Sequence, residues 1–282
     1  MNVLIIGKNG QVAWELQKAC PSHITAHAYG RNEINITDPQ SIEQAITQLA
    51  PAVIINASAY TAVDKAESEQ GEAHLINATA VEYLAKAATK HNIRLLHIST
   101  DFVFDGAKNT PYKVDDQTNP INVYGESKLA GELAIKTHCP DNSAIVRTSW
   151  VYSSHGNNFV KTMLRLMAEK DELNVVSDQI GCPTNANGLA TFLWQLAEQK
   201  ALEPIYQYSD LGVASWYDFA VAIQDCAIEQ GMINKRIPIK PIPTKDYPTP
   251  ATRPTFSLME QSCLEQRLHW RAGLKRMLES IN

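Results

Sequence analysis

The sequence contains no long apolar run. No stretch reaches the roughly 18 consecutive apolar residues that a transmembrane helix needs, although 44% of the residues are hydrophobic. The apolar run at residues 1–6 has no cationic leader before it and is too short for a signal peptide. We therefore expect no membrane span and predict a cytoplasmic protein.

Cysteine is scarce and scattered. An odd number of cysteines without C-x-x-C spacing predicts reduced thiols and no zinc site. The five residues are Cys20, Cys139, Cys182, Cys226 and Cys263.

Clusters of basic residues are also missing. The chain has 25 basic and 30 acidic residues, which gives a net charge of −5. A chain of this charge is not expected to bind nucleic acid. The composition is instead typical of a globular enzyme that acts on a small molecule.

Strand-like and helix-like segments alternate along the first half of the chain. Apolar runs predict strands at 1–6, 24–28, 52–56, 94–98 and 144–147. Helical patterns lie between them, at 39–49 after the capping pair Asp38-Pro39, at 69–91 and around Tyr124. This alternation indicates an α/β fold with a Rossmann-type, doubly wound parallel sheet.

The pattern changes beyond Trp150. Helices are expected at 158–170, 187–199, from the capping box at Ser215 to about Gly231, and at 272–281, with a strand at 173–177. Six prolines between 237 and 254 predict an extended, irregular segment. We predict a dinucleotide-binding domain at 1–152 and a smaller C-terminal α/β substrate-binding domain at 153–282. The segment near 185–207 is expected to return to the first domain.

A glycine turn follows the first predicted strand. Gly7 and Gly10 stand in a G-x-x-G-x-x-A pattern, which differs from the more common G-x-G-x-x-G. Gly7 would form the tight turn, and Gly10 would let the backbone approach a pyrophosphate at the positive end of a helix. Ala13 is small enough for the third position. A glycine-rich connection without a ligand is the alternative interpretation.

Tyr124 and Lys128 are four residues apart, and Thr100 follows the predicted strand at 94–98. Residues i and i+4 lie on one face of a helix, so a phenol and an ammonium can converge there. A nearby cation stabilises a phenolate, and a threonine hydroxyl can hold a substrate oxygen. This set of groups suits proton transfer to or from an alcohol or carbonyl oxygen.

The second predicted strand bears on the choice of dinucleotide. Its end has no carboxylate before Glu33, whereas Arg31 could pair with a 2′-phosphate. The residues therefore favour NADPH and leave NADH open.

Seven segments together resemble the extended short-chain dehydrogenase/reductases, and most closely their dTDP-4-dehydrorhamnose reductase branch. Each segment is modest alone, but their order and spacing follow the family over nearly the whole chain. They are residues 7–13, 56–67, 99–106, 122–125, 147–152, 178–184 and 247–254.

The resemblance implies NAD(P)H-dependent reduction of a dTDP-4-keto-6-deoxyhexose in the biosynthesis of dTDP-L-rhamnose for cell-surface polysaccharide such as O-antigen. It implies that Tyr124 is the proton donor, that Lys128 supports the phenolate and that Thr100 binds the developing oxyanion. Thr100, Asp101, Trp150 and Arg253 would contact the substrate. The cofactor site would comprise Gly7, Asn9, Gly10, Gln11, Val12, Arg31, Asp38, Asn56, Ala57, Ala59, Tyr60, Tyr124 and Lys128.

Several of these residues also have structural interpretations. Asp101 could brace a loop, Trp150 could belong to the core, and Arg253 could clamp the proline-rich segment. Asp64 and Glu67 are expected to be solvated residues at a helix start.

Related functions must be separated from this one. Dehydratases of the superfamily carry Asp-Glu after the catalytic Thr, but Phe102 follows Asp101 here. Another nucleotide-sugar reductase or an epimerase remains an alternative, as does a non-catalytic, NADP-binding regulatory subunit of the methionine adenosyltransferase type. The intact trio of Thr100, Tyr124 and Lys128 favours the reductase.

A magnesium ion is described for some family members. Glu15 is a weak candidate ligand, but the region around Asn187 offers no acidic partner. We therefore predict no metal, and a homodimer is left open.

Overall fold

The computed structural model describes residues 1–261 and 267–281. Cys263 lies outside the described residues, and the other four cysteines are free thiols. None of the helices in the described ranges combines the length and the apolar character needed to cross a membrane.

A six-stranded sheet forms the centre of the fold, with the strand order β10-β5-β4-β3-β1-β2. Every pairing in it is parallel, so the predicted doubly wound α/β fold is confirmed. The strands are β1 (Asn2–Ile6), β2 (Thr25–Tyr29), β3 (Val53–Asn56), β4 (Arg94–Thr100), β5 (Ser143–Thr148) and, in chain order after four further strands, β10 (Ile205–Tyr208).

Ten helices belong to the described residues. They are α1 (Gln11–Lys18), α2 (Pro39–Leu49), α3 (Val63–Ala66), α4 (Gln70–His74), α5 (Ala80–Lys90), α6 (Val123–His138), α7 (Phe159–Glu169), α8 (Ala186–Glu198), α9 (Trp216–Glu229) and α10 (Trp270–Glu279). Short 3-10 turns lie at Asp101–Val103 and Thr244–Asp246.

The alternation of side chains along β1 explains the layers. Val3 and Ile5 face one side of the sheet, where they pack with α1 and α8. Leu4 and Ile6 face the other side, where they pack with α2, α5 and α6. Because both faces of the sheet are covered by helices, its central strands β1 and β3 are almost entirely apolar and buried.

Two strong local signals give helix starts where the sequence predicts them. Asp38 caps α2 by accepting a hydrogen bond from the backbone N–H of Gln40. Ser215 and Asp218 form the predicted capping box at the start of α9.

The helix predicted at 69–91 is interrupted, and this prediction was wrong in that respect. A π-helical turn, Leu75–Thr79, separates α4 from α5. The side chain of Asn77 inside the turn binds the backbone N–H and C=O of Tyr60 and the hydroxyl of Ser127. A π-helical turn contains one residue more than an α-helical turn, and these tertiary hydrogen bonds stabilise it.

The second half of the chain surrounds another apolar core, formed mainly by α7, α9 and α10. Its short strands pair two by two: β6 (Val151–Tyr152) with β9 (Thr184–Asn185), β7 (Leu173–Val176) with β12 (Ile239–Ile242), and β8 (Ile180–Gly181) with β11 (Ala214–Ser215). The proline-rich segment was predicted to be irregular, yet it contributes β12. That strand tolerates Pro241 because it has a single partner strand. The two-domain division stays a prediction.

Candidate active site

A cleft of about 1350 Å³ opens along the edge where the central strands end. The segments that follow β1, β2, β3, β4 and β5 all contribute to its lining. Because parallel strands end at the same edge, residues far apart in the chain meet there. Ligands of doubly wound sheets bind at this edge.

The glycine turn lies at one end of the cleft. Gly7 has φ +101°, and a Cβ there would come within 2.8 Å of the carbonyl oxygen of Ala57. The turn therefore requires glycine at this position. Gly10 precedes α1 in an extended conformation, without a side-chain cap. The first N–H groups of α1 consequently remain available to an anion.

Most predicted cofactor residues line this cleft. Those that do are Gly7, Asn9, Gly10, Gln11, Val12, Arg31, Ala57, Ala59, Tyr124 and Lys128. They form a continuous wall from the glycine turn to the face of α6.

Three predicted cofactor residues do not line the cleft, and each has another partner. The Asp38 carboxylate caps α2. Asn56 is fully buried, and its amide binds Ser58 and His97. The Tyr60 hydroxyl donates to Glu69 at 2.5 Å. The assignment of these three residues to the cofactor site therefore stays a prediction, and the structure shows what holds their side chains in the absence of a cofactor.

The end of β2 carries a fixed acid–base pair. Lys8 Nζ lies 2.7 Å from Glu33 Oε1, while Glu33 Oε2 accepts from the N–H of Gly30 at 2.8 Å. These bonds lower the pKa of Glu33, with the Lys8 hydrogen bond as the largest cause. Arg31 is exposed beside this pair. The sequence reasoning missed Lys8 because it belongs to the glycine turn rather than to β2.

Tyr124 is half-buried in the wall of the cleft, in the first turn of α6. Asn122 caps that helix by accepting from Gly125 N–H at 2.8 Å. Burial raises the pKa of Tyr124 to about 12, although a hydrogen bond with the Thr100 hydroxyl opposes this rise. The phenol is therefore neutral at physiological pH, as a proton donor must be.

Lys128 is buried one turn further along α6, 2% exposed. Its Nζ donates to the carbonyl of Ile98 at 2.7 Å and lies 3.2 Å from His97 Nε2. Burial lowers the pKa of Lys128 to about 8, and the charge of Glu132 opposes this fall. Its proton is thus easier to remove than that of an exposed lysine.

Thr100 and Asp101 form the floor of the cleft at the end of β4. Thr100 donates to Asp101 Oδ1 at 3.1 Å and accepts from the N–H of Phe102 at 3.1 Å. Burial raises the pKa of Asp101 to about 6. Hydrogen bonds from the hydroxyls of Ser257 and Thr100 to the Asp101 carboxyl oppose this rise. Asp101 lines the cleft beside Thr100, so its carboxyl lies close to the place where a substrate oxygen would bind.

Trp150 forms the opposite wall, in a left-handed conformation with φ +46°. Trp216, at the start of α9, stacks on it with ring centroids 3.7 Å apart. Both indoles line the cleft. The sequence reasoning assigned Trp216 only to a capping box, because the fold alone brings α9 beside the end of β5.

Arg253 lines the cleft, as a substrate-binding residue should. It also forms an ion pair with Asp64, which agrees with the alternative interpretation that Arg253 holds the proline-rich segment in place. Asp64 is a partly exposed residue in the first turn of α3, as expected, but both Asp64 and Glu67 also have protein partners. Glu67 Oε1 accepts from Val123 N–H at 3.0 Å and thereby anchors the start of α6.

Glu15 is buried and has protein partners. Its carboxylate accepts from the Ser153 hydroxyl at 2.7 Å and from Asn187 Nδ2 at 3.2 Å. Among the described residues, no group of three His, Cys, Asp or Glu side chains could hold a metal ion.

Comparisons with known proteins agree over the full length of the chain. The family model of the RmlD substrate binding domain matches residues 1–282. The dTDP-4-dehydrorhamnose reductase of Shigella flexneri is 41% identical, with 100% of this chain and 98% of the relative covered.

Solved structures give the same result. The dTDP-4-dehydrorhamnose reductase of Bacillus anthracis in complex with NADP is 34% identical, with a TM-score of 0.93 and 99% of both chains covered. An ortholog of this reductase from Clostridium acetobutylicum is 35% identical, with a TM-score of 0.93, and covers 100% of this chain and 99% of its own. The chain therefore belongs to the family of the RmlD substrate binding domain, as the resemblance of its seven segments predicts.

Proposed function

We propose that this chain is an NADPH-dependent reductase that converts dTDP-4-dehydro-L-rhamnose to dTDP-L-rhamnose. One observation carries the proposal: Thr100, Tyr124 and Lys128 meet at a single cleft in a chain that is similar throughout to curated reductases of this name.

The cleft fits a dinucleotide. Gly7 lets the turn after β1 pack against the backbone of Ala57, which holds the start of α1 at the end of the cleft. The N-terminus of α1 suits a pyrophosphate, and the cleft lining includes two cations, Lys8 in the glycine turn and Arg31 after β2. When bound, NADPH supplies the hydride. The structure of the Bacillus anthracis relative is a complex with NADP, which supports this choice, and NADH remains a second cofactor to test.

Tyr124 would give its proton to the sugar oxygen as negative charge develops there. A neutral phenol at the wall of the cleft is suited to this direction of reaction. Lys128 would stabilise the phenolate that is left behind, since a cation near a phenolate favours its charged form.

Thr100 would donate a hydrogen bond to the same oxygen after releasing Asp101 Oδ1. A preorganised donor of this kind contributes about 3 kcal/mol to lowering a barrier. Asp101, which lines the cleft beside Thr100, would bind a sugar hydroxyl. Trp150 and Trp216 would pack against the substrate, and Arg253 would bind the diphosphate.

We place the reaction in the cytoplasm, where the four free thiols of the described residues would stay reduced. A homodimer remains an untested prediction.

The decisive experiment follows the oxidation of NADPH and then of NADH by absorbance, with freshly prepared dTDP-4-keto-L-rhamnose. Rapid, substrate-dependent oxidation with formation of dTDP-rhamnose is expected. Binding of NADP without turnover would instead support a regulatory subunit. Tightly bound, non-exchangeable NAD would support an epimerase.

A further inference from the structure

Behind the cleft, a chain of buried polar groups runs from the loop after β3 to Lys128. Its members are Ser58, Asn56, His97 and Lys128. Asn56 and His97 are 1% and 0% exposed, so neither can contact a ligand directly. Their hydrogen bonds nevertheless determine which atoms face the Lys128 amine.

The orientation of the Asn56 amide is fixed by Ser58. The backbone N–H of Ser58, which can only donate, points at Asn56 Oδ1 at 3.1 Å, and the Ser58 hydroxyl donates to the same oxygen at 2.6 Å. Exchange of the amide oxygen and nitrogen would place two donors against each other. Asn56 Nδ2 therefore faces His97 Nδ1, at 3.0 Å.

The tautomer of His97 follows from this contact. Because Asn56 Nδ2 donates, His97 Nδ1 must accept and carries no proton. Burial lowers the pKa of His97 well below its usual value, and the charge of Lys128 lowers it further. The ring is thus neutral, and its single proton resides on Nε2, the atom that lies 3.2 Å from Lys128 Nζ.

An ammonium group has no lone pair and cannot accept this proton. The contact between His97 Nε2–H and Lys128 Nζ is therefore a hydrogen bond only when Lys128 is an amine. The other charged groups nearby do not reverse this preference. Glu132 favours the ammonium, but its carboxylate is held by Arg147 at 2.7 Å and by Ser99 at 2.6 Å.

We propose that Ser58, Asn56 and His97 form a tautomer-setting chain that holds the Nε2 proton of His97 toward Lys128 and so stabilises the neutral amine of the catalytic lysine. His97 is then a positioning residue, because it acts on the reaction through Lys128. In catalysis, which rests on the proposed function, Lys128 would be an ammonium when the Tyr124 phenolate forms, and the chain would ease transfer of its proton toward that phenolate, which restores the neutral phenol.

Nitrogen NMR of the histidine rings tests the first step on the protein alone. The signal of His97 is identified by its absence in His97→Asn. The wild-type spectrum should show a protonated Nε2 and an unprotonated Nδ1. In Asn56→Asp the carboxylate can only accept, so the proton should move to Nδ1. A wild-type proton on Nδ1 would overturn the proposal even if the variants did not fold.

Titration of lysine Cε signals tests the second step, with Lys128→Arg as the reference for assignment. His97→Asn keeps an acceptor for Asn56, removes the Nε2 donor and adds no charge. It should raise the pKa of Lys128 by about one unit, a tenfold change in its acid dissociation constant. An unchanged or lower pKa would contradict the proposal. Neither measurement needs substrate, so a failure of the reductase assay and a failure of this inference remain distinct.

Discussion

Arg253 forms a bidentate ion pair with the carboxylate of Asp64. Nη1 lies 2.9 Å from Oδ1 and Nη2 lies 2.8 Å from Oδ2, between residues 189 positions apart. Nη1 also donates to Thr249 Oγ1 at 2.6 Å and to the carbonyl of Ala251 at 3.1 Å. The guanidinium is therefore oriented before a ligand arrives, and the ion pair joins the proline-rich segment to the start of α3.

Asp64→Asn should weaken the binding of the nucleotide sugar. The side chain of Asp64 is 40% exposed, so solvent screens the pair and the variant should lose no more than about 1 kcal/mol of stability. Without the carboxylate, Arg253 loses its orientation, and KM for the sugar nucleotide should rise about tenfold with a smaller change in kcat.

The measurement is steady-state kinetics of Asp64→Asn, and Asp171→Asn is the control variant. Asp171 also forms an ion pair, with Lys235, but its side chain is 94% exposed and lies outside the cleft lining. That variant should behave as wild type. Equal KM values for the two variants would show that the Asp64 contact does not prepare Arg253 for substrate.

Tyr124→Phe removes only the phenolic oxygen. The ring should keep its edge-on contact with Phe102, whose centroid is 5.6 Å away, so the fold and the affinity for NADPH should persist. Turnover should fall at least about a hundredfold, because a general acid is lost. Tyr60→Phe removes the same atom outside the cleft and should retain turnover. Comparable activity of Tyr124→Phe and wild type would exclude Tyr124 as the proton donor.

Local signals made much of this fold predictable. The apolar runs of β1 and β3 and the capping residues Asp38 and Ser215 act within a few positions of the chain. Gly7 was recognisable because its turn follows an apolar strand directly. Such features depend on backbone sterics and on hydrogen bonds between residues that are close in the chain, so they can be predicted from the sequence.

The remaining parts of the site depend on contacts between distant segments. Trp216 reaches the cleft only because the core around α9 places it against Trp150. Asn56 ends a strand as predicted, yet its side chain points into the protein toward His97. No periodicity encodes these relations. They follow from how separate elements pack, and for that reason the inward orientation of the Asn56 side chain was not predicted and Trp216 was missed.

Asp210 is a buried acid outside the cleft, and Asp210→Asn should change how stability depends on pH. Burial raises the pKa of Asp210 from 3.8 to about 7, although the N–H of Asn185 and the charge of Arg267 oppose the rise. A raised pKa means that the folded state binds the proton more tightly than the unfolded state. The stability that Asp210 contributes is therefore complete below its unfolded pKa and is lost between about pH 4 and about pH 7.

An asparagine cannot ionise, so the stability of the variant should not fall in this way as the pH rises. Each unit by which the two pKa values differ corresponds to about 1.4 kcal/mol. Urea unfolding of both proteins at about pH 5 and about pH 8 isolates the effect, since all other titrating groups are shared. The free energy of unfolding of the variant, relative to that of the wild type, should be higher at about pH 8 than at about pH 5. A constant difference between the two proteins would mean that Asp210 does not titrate in this range.

Gly125 allows the first turn of α6 to approach the segment that carries Thr100. A Cβ on Gly125 would lie 2.2 Å from the carbonyl oxygen of Phe102 and 3.0 Å from Pro120 Cβ. Gly125→Ala must therefore push the helix outward and carry Tyr124 away from Thr100. Overpacking of this kind costs about 1–3 kcal/mol of stability.

Turnover of Gly125→Ala should fall at least about tenfold, because proton donor and oxyanion donor must both reach one oxygen. Affinity for NADPH should change less, since the glycine turn after β1 is remote from this contact. Gly71→Ala is the matched control: a Cβ there meets nothing within 4 Å, and alanine should stabilise α4 by up to about 1 kcal/mol. Thermal unfolding measures the stability of both variants, and steady-state kinetics measure their turnover. If Gly125→Ala matched Gly71→Ala in both measurements, close packing of α6 against Phe102 would not be what sets the Tyr124–Thr100 geometry.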